Sequence, residues 1–287
     1  MKETGRRSRR GWLKATATTT RWPAVALLGA LAVGAGALAM YALSKDTPPV
    51  ATAYTAPLSS ADRGVVRPQV VFIGDSYIGG SEMGGVGDRN WSRLASRDLG
   101  WTSCAFGVGG SGWSRGINGW TFGARVEWAV RQRPAAIVFA NGINDLNDGG
   151  VNTAAEMRKA LSRLKTLSPS TPVMVIGPVK VRDDQSPYID RMNEQMRQVA
   201  EELNVAYVDP TEDGWFEGEA RNQIGSDGFH PTNDGHVYFA KRFAEAVADA
   251  EVTLAPQPKA DAVYCSPPGW QITRPDGSHV PAPTPGG

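Results

Sequence analysis

The sequence is poor in residues that hold metal ions and crosslinks, with two cysteines and three histidines among 287 residues. Two cysteines exclude a disulfide-dense scaffold, and three scattered histidines leave too little material for a zinc site. The chain also lacks a glycine-rich phosphate loop with a G-K-[ST] ending. We therefore expect no metal and no cofactor. Hydrophobic residues make up 41% and charged residues 21%, as in an ordinary globular protein.

The net charge of +1 conceals an uneven distribution of charge. Residues 1–21 carry seven Lys or Arg residues and one Glu, whereas the remainder of the chain has 23 basic and 28 acidic residues. Because the chain after residue 21 is mildly acidic, it has no excess of basic residues with which to bind the phosphate backbone of a nucleic acid. We therefore expect no nucleic-acid partner.

An uncharged apolar run follows this basic terminus. Residues 22–43 are WPAVALLGALAVGAGALAMYAL, which as a helix would span roughly 33 Å and cross the hydrocarbon core of a membrane. Basic residues before such a segment stay in the cytoplasm, which predicts that the rest of the chain is exported. The run is either a retained anchor or a long signal peptide, cleaved near residues 37–39. The pair Arg9-Arg10 either belongs to a twin-arginine export signal or only sets the topology.

Composition divides the exported part into a linker, a domain and a tail. Residues 44–66 are rich in Pro, Ser, Thr and Ala, as flexible linkers are, and residues 253–287 are rich in proline. In residues 67–252, short apolar runs alternate with segments of helical periodicity. The predicted strands are Gln69–Ile73, Thr102–Val108, Ala135–Ala140, Val173–Ile176 and Val205–Val208. The predicted helices are Trp91–Leu99, Phe122–Gln132, Thr153–Leu167, Ile189–Leu203 and Asn233–Ala250.

Strands that alternate with helices form βαβ units with right-handed crossovers. The pattern therefore predicts an α/β fold, in which a five-stranded parallel sheet is covered by helices on both faces as a three-layer α/β/α sandwich.

Three short motifs follow the first three predicted strands. Gly74-Asp75-Ser76 would place a serine hydroxyl at the carboxyl edge of the sheet, where open parallel sheets bind ligands. Residues 106–112, FGVGGSG, form a glycine-rich turn whose backbone N–H groups can approach a ligand closely. Residues 142–145, GIND, would bring the amide of Asn144 over the same edge. Each motif alone also fits an ordinary turn or helix cap.

A fourth motif, Asp227-Gly228-Phe229-His230-Pro231, precedes the last predicted helix. A carboxylate three residues before an imidazole can accept the Nδ1 proton and orient Nε2 toward a nucleophile. The other two histidines lack such a partner. His236 lies on the predicted last helix, where packing or surface exposure accounts for it, and His279 lies in the proline-rich tail.

Taken together and in this order, the four motifs resemble the blocks of the SGNH/GDSL hydrolase family. The resemblance covers about residues 69–250 and implies a flavodoxin-like SGNH hydrolase fold. It implies that Ser76 is the nucleophile, that His230 is the base and that Asp227 orients His230. The resemblance thus indicates a serine ester hydrolase.

The resemblance also implies an oxyanion hole. Its donors would be the backbone N–H groups of Ser76 and of a glycine, together with the side chain of Asn144. The glycine is either Gly109 or Gly110, and alignment of GVGG with the G-V-x-G of the family favours Gly110. The sequence departs from the family at position 77, where Tyr stands in place of the Leu of many members and where a change in packing is the simplest expectation.

The implied activity is hydrolysis of carboxylic esters, acetyl esters among them, through an acyl-serine intermediate. The expected substrate is a small-molecule or glycan-linked acyl ester, met outside the cell membrane. Two alternatives remain open: an acyltransferase that uses the same triad on an envelope glycan, and a non-catalytic surface-binding module. Four tryptophans near the motifs either fill the core or stack on sugars, namely Trp91, Trp113, Trp120 and Trp128.

The two cysteines, Cys104 and Cys265, both fall in the exported part, where disulfides persist. A bond between them would join the tail to the second strand. The spacing alone leaves a disulfide and two free thiols equally open.

Overall fold

The computed structural model describes residues 67–255, Cys265, and residues 272–273 and 279–280. The predicted membrane segment 22–43, the linker 44–66 and most of the tail lie outside the described residues. In the part of the chain that the structure describes, no helix is long and apolar enough to span a membrane. The limits assigned to the domains from composition stay a prediction.

Five strands form one parallel sheet: β1 Gln69–Gly74, β2 Thr102–Gly107, β3 Ala136–Ala140, β4 Val173–Ile176 and β5 Ala206–Val208. Their spatial order is β2-β1-β3-β4-β5. Every residue of β1 and β3 is buried, as expected for central strands covered on both faces. The predicted α/β fold with a five-stranded parallel sheet is confirmed.

Helices cover both faces of the sheet. Their bounds are α1 Ser76–Gly79, α2 Trp91–Asp98, α3 Val126–Arg131, α4 Thr153–Leu167, α5 Ser186–Glu202 and α6 Asn233–Asp249. Successive residues of a strand point to opposite faces, so Val70 and Phe72 pack with α2 and α6, while Val71 and Ile73 pack with α3, α4 and α5. These two apolar layers hold the sandwich together.

Two of the predicted helices begin at other residues, and four of the five end one residue earlier than predicted. The segment predicted as one helix from Phe122 begins with a 3₁₀ turn, Gly123–Arg125, and becomes α-helical only at Val126. The helix predicted from Ile189 begins three residues earlier, at Ser186. Pro187 fits its first turn, because N–H groups there have no acceptor within the helix and the missing N–H of proline costs no hydrogen bond.

The strand order places the candidate residues at one position in the sheet. The chain passes from β1 to β2 on one side and then returns to add β3 on the other side of β1. The order of the strands therefore reverses between β1 and β3, and ligands bind at such switch points, outside the carboxyl ends of the strands. The motifs GDS and GIND follow these two strands directly.

Cys104 and Cys265 form a disulfide, with their Cα atoms 5.4 Å apart. Cys104 lies buried in β2, the edge strand, and Cys265 packs against the same apolar layer. The bond encloses a loop with a sequence separation of 161 residues. Of the two alternatives that the sequence left open, the structure has the disulfide.

Reduction of this disulfide should lower the free energy of unfolding by about 2–5 kcal/mol, because a long open loop raises the entropy of the unfolded chain. Thermal unfolding with and without dithiothreitol measures the loss. Cys265→Ala should reproduce the reduced value and become insensitive to dithiothreitol, since Cys104 then remains as a buried thiol. Equal melting temperatures of the oxidised wild type, the reduced wild type and Cys265→Ala would contradict the stabilising role.

Candidate active site

The turn after β1 presents the serine. Gly74 ends the strand at a point where a Cβ atom would lie 2.5 Å from Cγ1 of Ile78 and 2.9 Å from the carbonyl oxygen of Ala140, so no larger residue fits. Asp75 caps the short helix α1, and its Oδ1 accepts a hydrogen bond from the Tyr77 N–H at 2.9 Å. Ser76 begins this helix and is buried apart from its face toward the cleft.

Ser76, His230 and Asp227 form a continuous row of hydrogen bonds. The Ser76 Oγ lies 2.9 Å from Nε2 of His230. Nδ1 of the same ring lies 2.6 Å from Oδ2 of Asp227. This geometry allows the imidazole to take a proton from the hydroxyl while the carboxylate stabilises the charge that the ring acquires.

The loop that carries His230 is shaped by the second oxygen of Asp227. Oδ1 accepts hydrogen bonds from the N–H groups of Phe229 and His230, both at 2.9 Å. Gly228 makes this tight turn with a φ of +67°, a conformation that favours glycine. Burial tends to raise the pKa of Asp227, but hydrogen bonds from the His230 N–H, the His230 ring and the Phe229 N–H outweigh it and hold the pKa below its usual value. Asp227 is therefore a carboxylate at neutral pH.

The glycine-rich turn after β2 lies across the cleft from His230. Gly109 and Gly110 both line the cleft beside Ser76. Gly110 has a φ of +76°, and its carbonyl oxygen accepts a hydrogen bond from Nε of Arg115 at 3.1 Å. Within the described residues, neither glycine N–H donates to a protein oxygen. Both glycines thus have a free donor, and the geometry alone does not select Gly110 over Gly109.

Asn144 reaches the same cleft from the 3₁₀ turn after β3. Its Nδ2 donates to the carbonyl oxygen of Ser111 at 3.0 Å and to Oδ2 of Asp75 at 3.2 Å. Both N–H groups of the amide are therefore engaged in the free protein. Asn144 can donate to an oxyanion only if one of these N–H groups is shared with it.

Asp75 is a fully buried carboxyl group at the centre of the site. Besides the N–H of Tyr77, it accepts hydrogen bonds from the N–H of Gly142 and from the amides of Asn141 and Asn144. Burial raises its pKa to about 6, although the hydrogen bonds from Tyr77, Gly142 and Asn141 and the charge of His230 act in the opposite direction. Asp75 therefore fixes the turn that carries Ser76 relative to the turn that carries Asn144.

A buried cation, Arg125, supports the same region. Its Nη1 donates to the carbonyl oxygens of Gly74 and Phe106, at 2.7 and 2.9 Å, and its Nη2 donates to Oγ of Ser111 at 2.9 Å. Burial lowers its pKa to about 9, while the charge of Asp75 partly compensates. The guanidinium thus ties together the carboxyl ends of β1 and β2 and Ser111 of the glycine-rich turn.

The glycine-rich turn is also held by Asp145, the last residue of GIND. This buried carboxylate accepts hydrogen bonds from three consecutive N–H groups, those of Trp113, Ser114 and Arg115. The motifs GDS and GIND contain Asp75 and Asp145 but indicate only turn chemistry for them, and Arg125 belongs to no motif. Most of the partners of these three side chains lie far away in the sequence.

The remaining candidates lie in the core. His236 is buried, its Nδ1 accepts from the Trp91 N–H at 3.3 Å, and burial together with the charge of His230 lowers its pKa to about 4. Trp91, Trp113 and Trp128 are buried, whereas Trp120 is partly buried against Phe106. In the described residues, no group of three or more His, Cys, Asp or Glu side chains could hold a metal ion.

A serine, an imidazole and a carboxylate in one hydrogen-bonded row, at the switch point of a doubly wound sheet, define a site of the serine hydrolase class. The comparisons with known proteins agree. The sequence profile described as "GDSL-like Lipase/Acylhydrolase family" matches residues 72–238. The chain belongs to this family and is a serine ester hydrolase.

A curated relative is a GDSL lipase, Rv0518 of Mycobacterium tuberculosis, which is 29% identical over 188 residues, or 62% of this chain and 81% of that protein. Two solved structures share the fold. A lipase/acylhydrolase from Enterococcus faecalis has a TM-score of 0.51 at 18% identity, over 67% of this chain and all of the other. A family two carbohydrate esterase from Clostridium thermocellum has a TM-score of 0.52 at 14% identity, over 63% of each chain.

Proposed function

We propose that the protein hydrolyses carboxylic esters outside the cell membrane, with Ser76 as the nucleophile. The observation that carries this proposal is the row from Ser76 Oγ through His230 to Asp227, with distances of 2.9 and 2.6 Å. A serine hydroxyl is a weak nucleophile until a base takes its proton. His230 takes this proton as Oγ attacks the acyl carbon, and it then gives the proton to the leaving alcohol.

Water completes the cycle. His230 takes a proton from water, the resulting hydroxide attacks the acyl-serine, and the carboxylic acid leaves as the proton returns to Oγ. In both halves negative charge develops on the former carbonyl oxygen. The N–H groups of Ser76 and of Gly110 or Gly109 are the donors that we assign to this oxyanion, with the Asn144 amide as a third.

The dimensions and lining of the cleft support esters of short acyl chains. The cleft has a volume of about 450 Å³, and its apolar side chains are Met83 and Phe229. The other lining residues are polar or glycine, among them Ser81 and Glu82. Two apolar side chains are enough to accommodate a short acyl chain such as an acetyl group. A polar alcohol such as a sugar suits the remaining surface, which favours an O-acylated glycan as the physiological ester.

Export is supported by two independent features. The basic terminus and the apolar segment 22–43 together predict that the domain is translocated, either anchored to the outer face of the membrane or secreted. The disulfide between Cys104 and Cys265 is of a kind that persists in oxidising compartments and is rare in the cytosol.

The proposal is tested with matched aryl esters of acetate, butyrate, octanoate and palmitate, and with an acetylated xylan. We expect kcat/KM to be highest for acetate and to fall with chain length. A maximum at octanoate or beyond would overturn the assignment to short acyl chains. Adding a free oligosaccharide as acceptor separates the transferase, which would make a new sugar ester, from the hydrolase, which would release only acid.

Asn144→Ala should lower kcat by about 10²–10³, the usual effect of one oxyanion donor, and change KM little. The reason is that an oxyanion binds a shared N–H more strongly than the ground-state carbonyl does. Steady-state kinetics on folded protein gives the measurement, with Asn152→Ala, an exposed amide that makes no cap hydrogen bond to α4, as the control. A lower melting temperature with unchanged kcat would show that Asn144 stabilises the turn and does not donate to the oxyanion.

A further inference from the structure

Tyr77 is buried beside the nucleophile, and the mechanism above gives it no role. Its hydroxyl donates a hydrogen bond to the carbonyl oxygen of Phe229 at 2.7 Å, across 152 positions of sequence. A buried phenol needs an acceptor, and this distance is typical of a well-formed O–H···O bond. The bond joins the turn that carries Ser76 to the loop that carries His230.

The acceptor belongs to the peptide group that leads into His230. The carbonyl of this group is that of Phe229, and its N–H is that of His230, which donates to Oδ1 of Asp227 at 2.9 Å. Tyr77 and Asp227 therefore hold the two polar ends of one peptide group. Because a peptide group is planar, fixing both ends fixes the plane from which the Cα–Cβ bond of His230 departs.

We infer that Tyr77 is a positioning residue, whose hydroxyl holds the His230 loop where Nε2 meets the Ser76 hydroxyl. The inference rests on the proposed function, since it concerns the same triad. Leucine, the residue of many family members at this position, has no hydroxyl and cannot make this bond. The expectation that Tyr77 only changes packing is therefore corrected: its ring packs on Phe239 with centroids 6.1 Å apart, but its hydroxyl reaches the catalytic loop.

The His230 loop has few other hydrogen bonds that could hold it against the turn after β1. Ser226 and Asp227 lie at the surface, and Gly228 is half-buried. The loop's own bonds are the short turns from Gly228 N–H to the Gly225 carbonyl and from Gly225 N–H to the His230 carbonyl. These bonds shape the loop but do not attach it to β1. Burial, and then the charges of Asp75 and Asp227, raise the pKa of Tyr77 well above its usual value, so the phenol remains a donor throughout the pH range of an esterase.

Tyr77→Phe tests the inference, because it removes only the hydroxyl and keeps the ring. We expect kcat per active site to fall about tenfold or more with KM nearly unchanged, since small errors of orientation cost large factors in rate. The second-order rate of labelling of Ser76 by a small fluorophosphonate should fall by the same factor. This second readout reports the activated serine directly and needs no knowledge of the natural ester.

Tyr207→Phe is the matched control. It also removes a phenol hydrogen bond, from Tyr207 to Oδ1 of Asn193 at 2.6 Å, but it does so on β5 at the far edge of the sheet. We expect it to lower the melting temperature comparably and to leave both rates unchanged.

The outcomes distinguish the positioning role of Tyr77 from the proposed function. Rates that fall in Tyr77→Phe and not in Tyr207→Phe support the inference. Equal rates in the wild type and Tyr77→Phe, or a loss confined to the fraction of active protein or to KM, overturn it and leave the proposed function standing. A wild-type protein that neither labels at Ser76 nor hydrolyses any ester overturns the proposed function, and the positioning role with it.

Discussion

Ser76→Ala is expected to lower the turnover of a small aryl ester by about 10⁴-fold or more, to the residual rate that binding and oxyanion stabilisation alone provide. The Oγ of Ser76 is the hydroxyl that faces Nε2 of His230, at 2.9 Å. The other serine of the cleft, Ser81, accepts a hydrogen bond from the Met83 N–H with its Oγ instead. Without Ser76 the imidazole has no hydroxyl to deprotonate, so no acyl-enzyme forms.

The fold should survive this change. Ser76 opens the helix α1, where alanine is well tolerated, and the cap is provided by Asp75 rather than by Ser76. Ser96→Ala removes another buried serine hydroxyl, in α2, and serves as the control with expected wild-type kinetics. Circular dichroism and kcat are measured on the same preparations. If pure, folded Ser76→Ala retains activity within tenfold of the wild type, Ser76 is not the nucleophile.

The sheet was predictable from the sequence because its strands are short apolar runs with clear ends. Runs such as VVFI before Gly74 and AIVFA before Asn141 are buried on both faces, and no helical periodicity competes with them. The first three motifs then fall at the carboxyl edge by topology, because they follow β1, β2 and β3. The fourth motif follows no strand directly, so its place beside Ser76 was indicated by the resemblance to the family. One tight turn then brings Asp227 and His230 together.

The hydrogen bonds of the buried charged side chains near the site were not predictable, because tertiary structure decides which groups these side chains contact. Arg125 belongs to a segment whose periodicity favours an ordinary helix, yet its guanidinium is buried against carbonyl oxygens of β1 and β2. The hydroxyl of Tyr77 finds its acceptor 152 residues away. No local pattern encodes such contacts. The same holds for Cys104 and Cys265, where only the fold brings the sulfur atoms together.

Asp227→Asn is expected to lower kcat by up to about 10⁴-fold while the protein stays folded. The asparagine side chain keeps an oxygen that can accept from the N–H groups of Phe229 and His230, as Oδ1 of Asp227 does. Its NH₂ group then faces Nδ1 of His230, where the carboxylate oxygen lies 2.6 Å away in the wild type. Because that group donates, Nδ1 must accept, and the ring proton moves to Nε2. A protonated Nε2 cannot take the proton of Ser76.

Asp209→Asn is the control that isolates this effect from the loss of a charge in a turn. Oδ1 of Asp209 also accepts from two backbone N–H groups, those of Thr211 and Glu212, and its Oδ2 binds a cation, Arg197, instead of a catalytic ring. The two substitutions therefore disturb similar turns, and both should lower the melting temperature. Only Asp227→Asn should lower kcat and the rate of fluorophosphonate labelling. A loss of less than about threefold in Asp227→Asn would mean that His230 keeps its tautomer without a carboxylate, and that the turn's hydrogen bonds alone orient the ring.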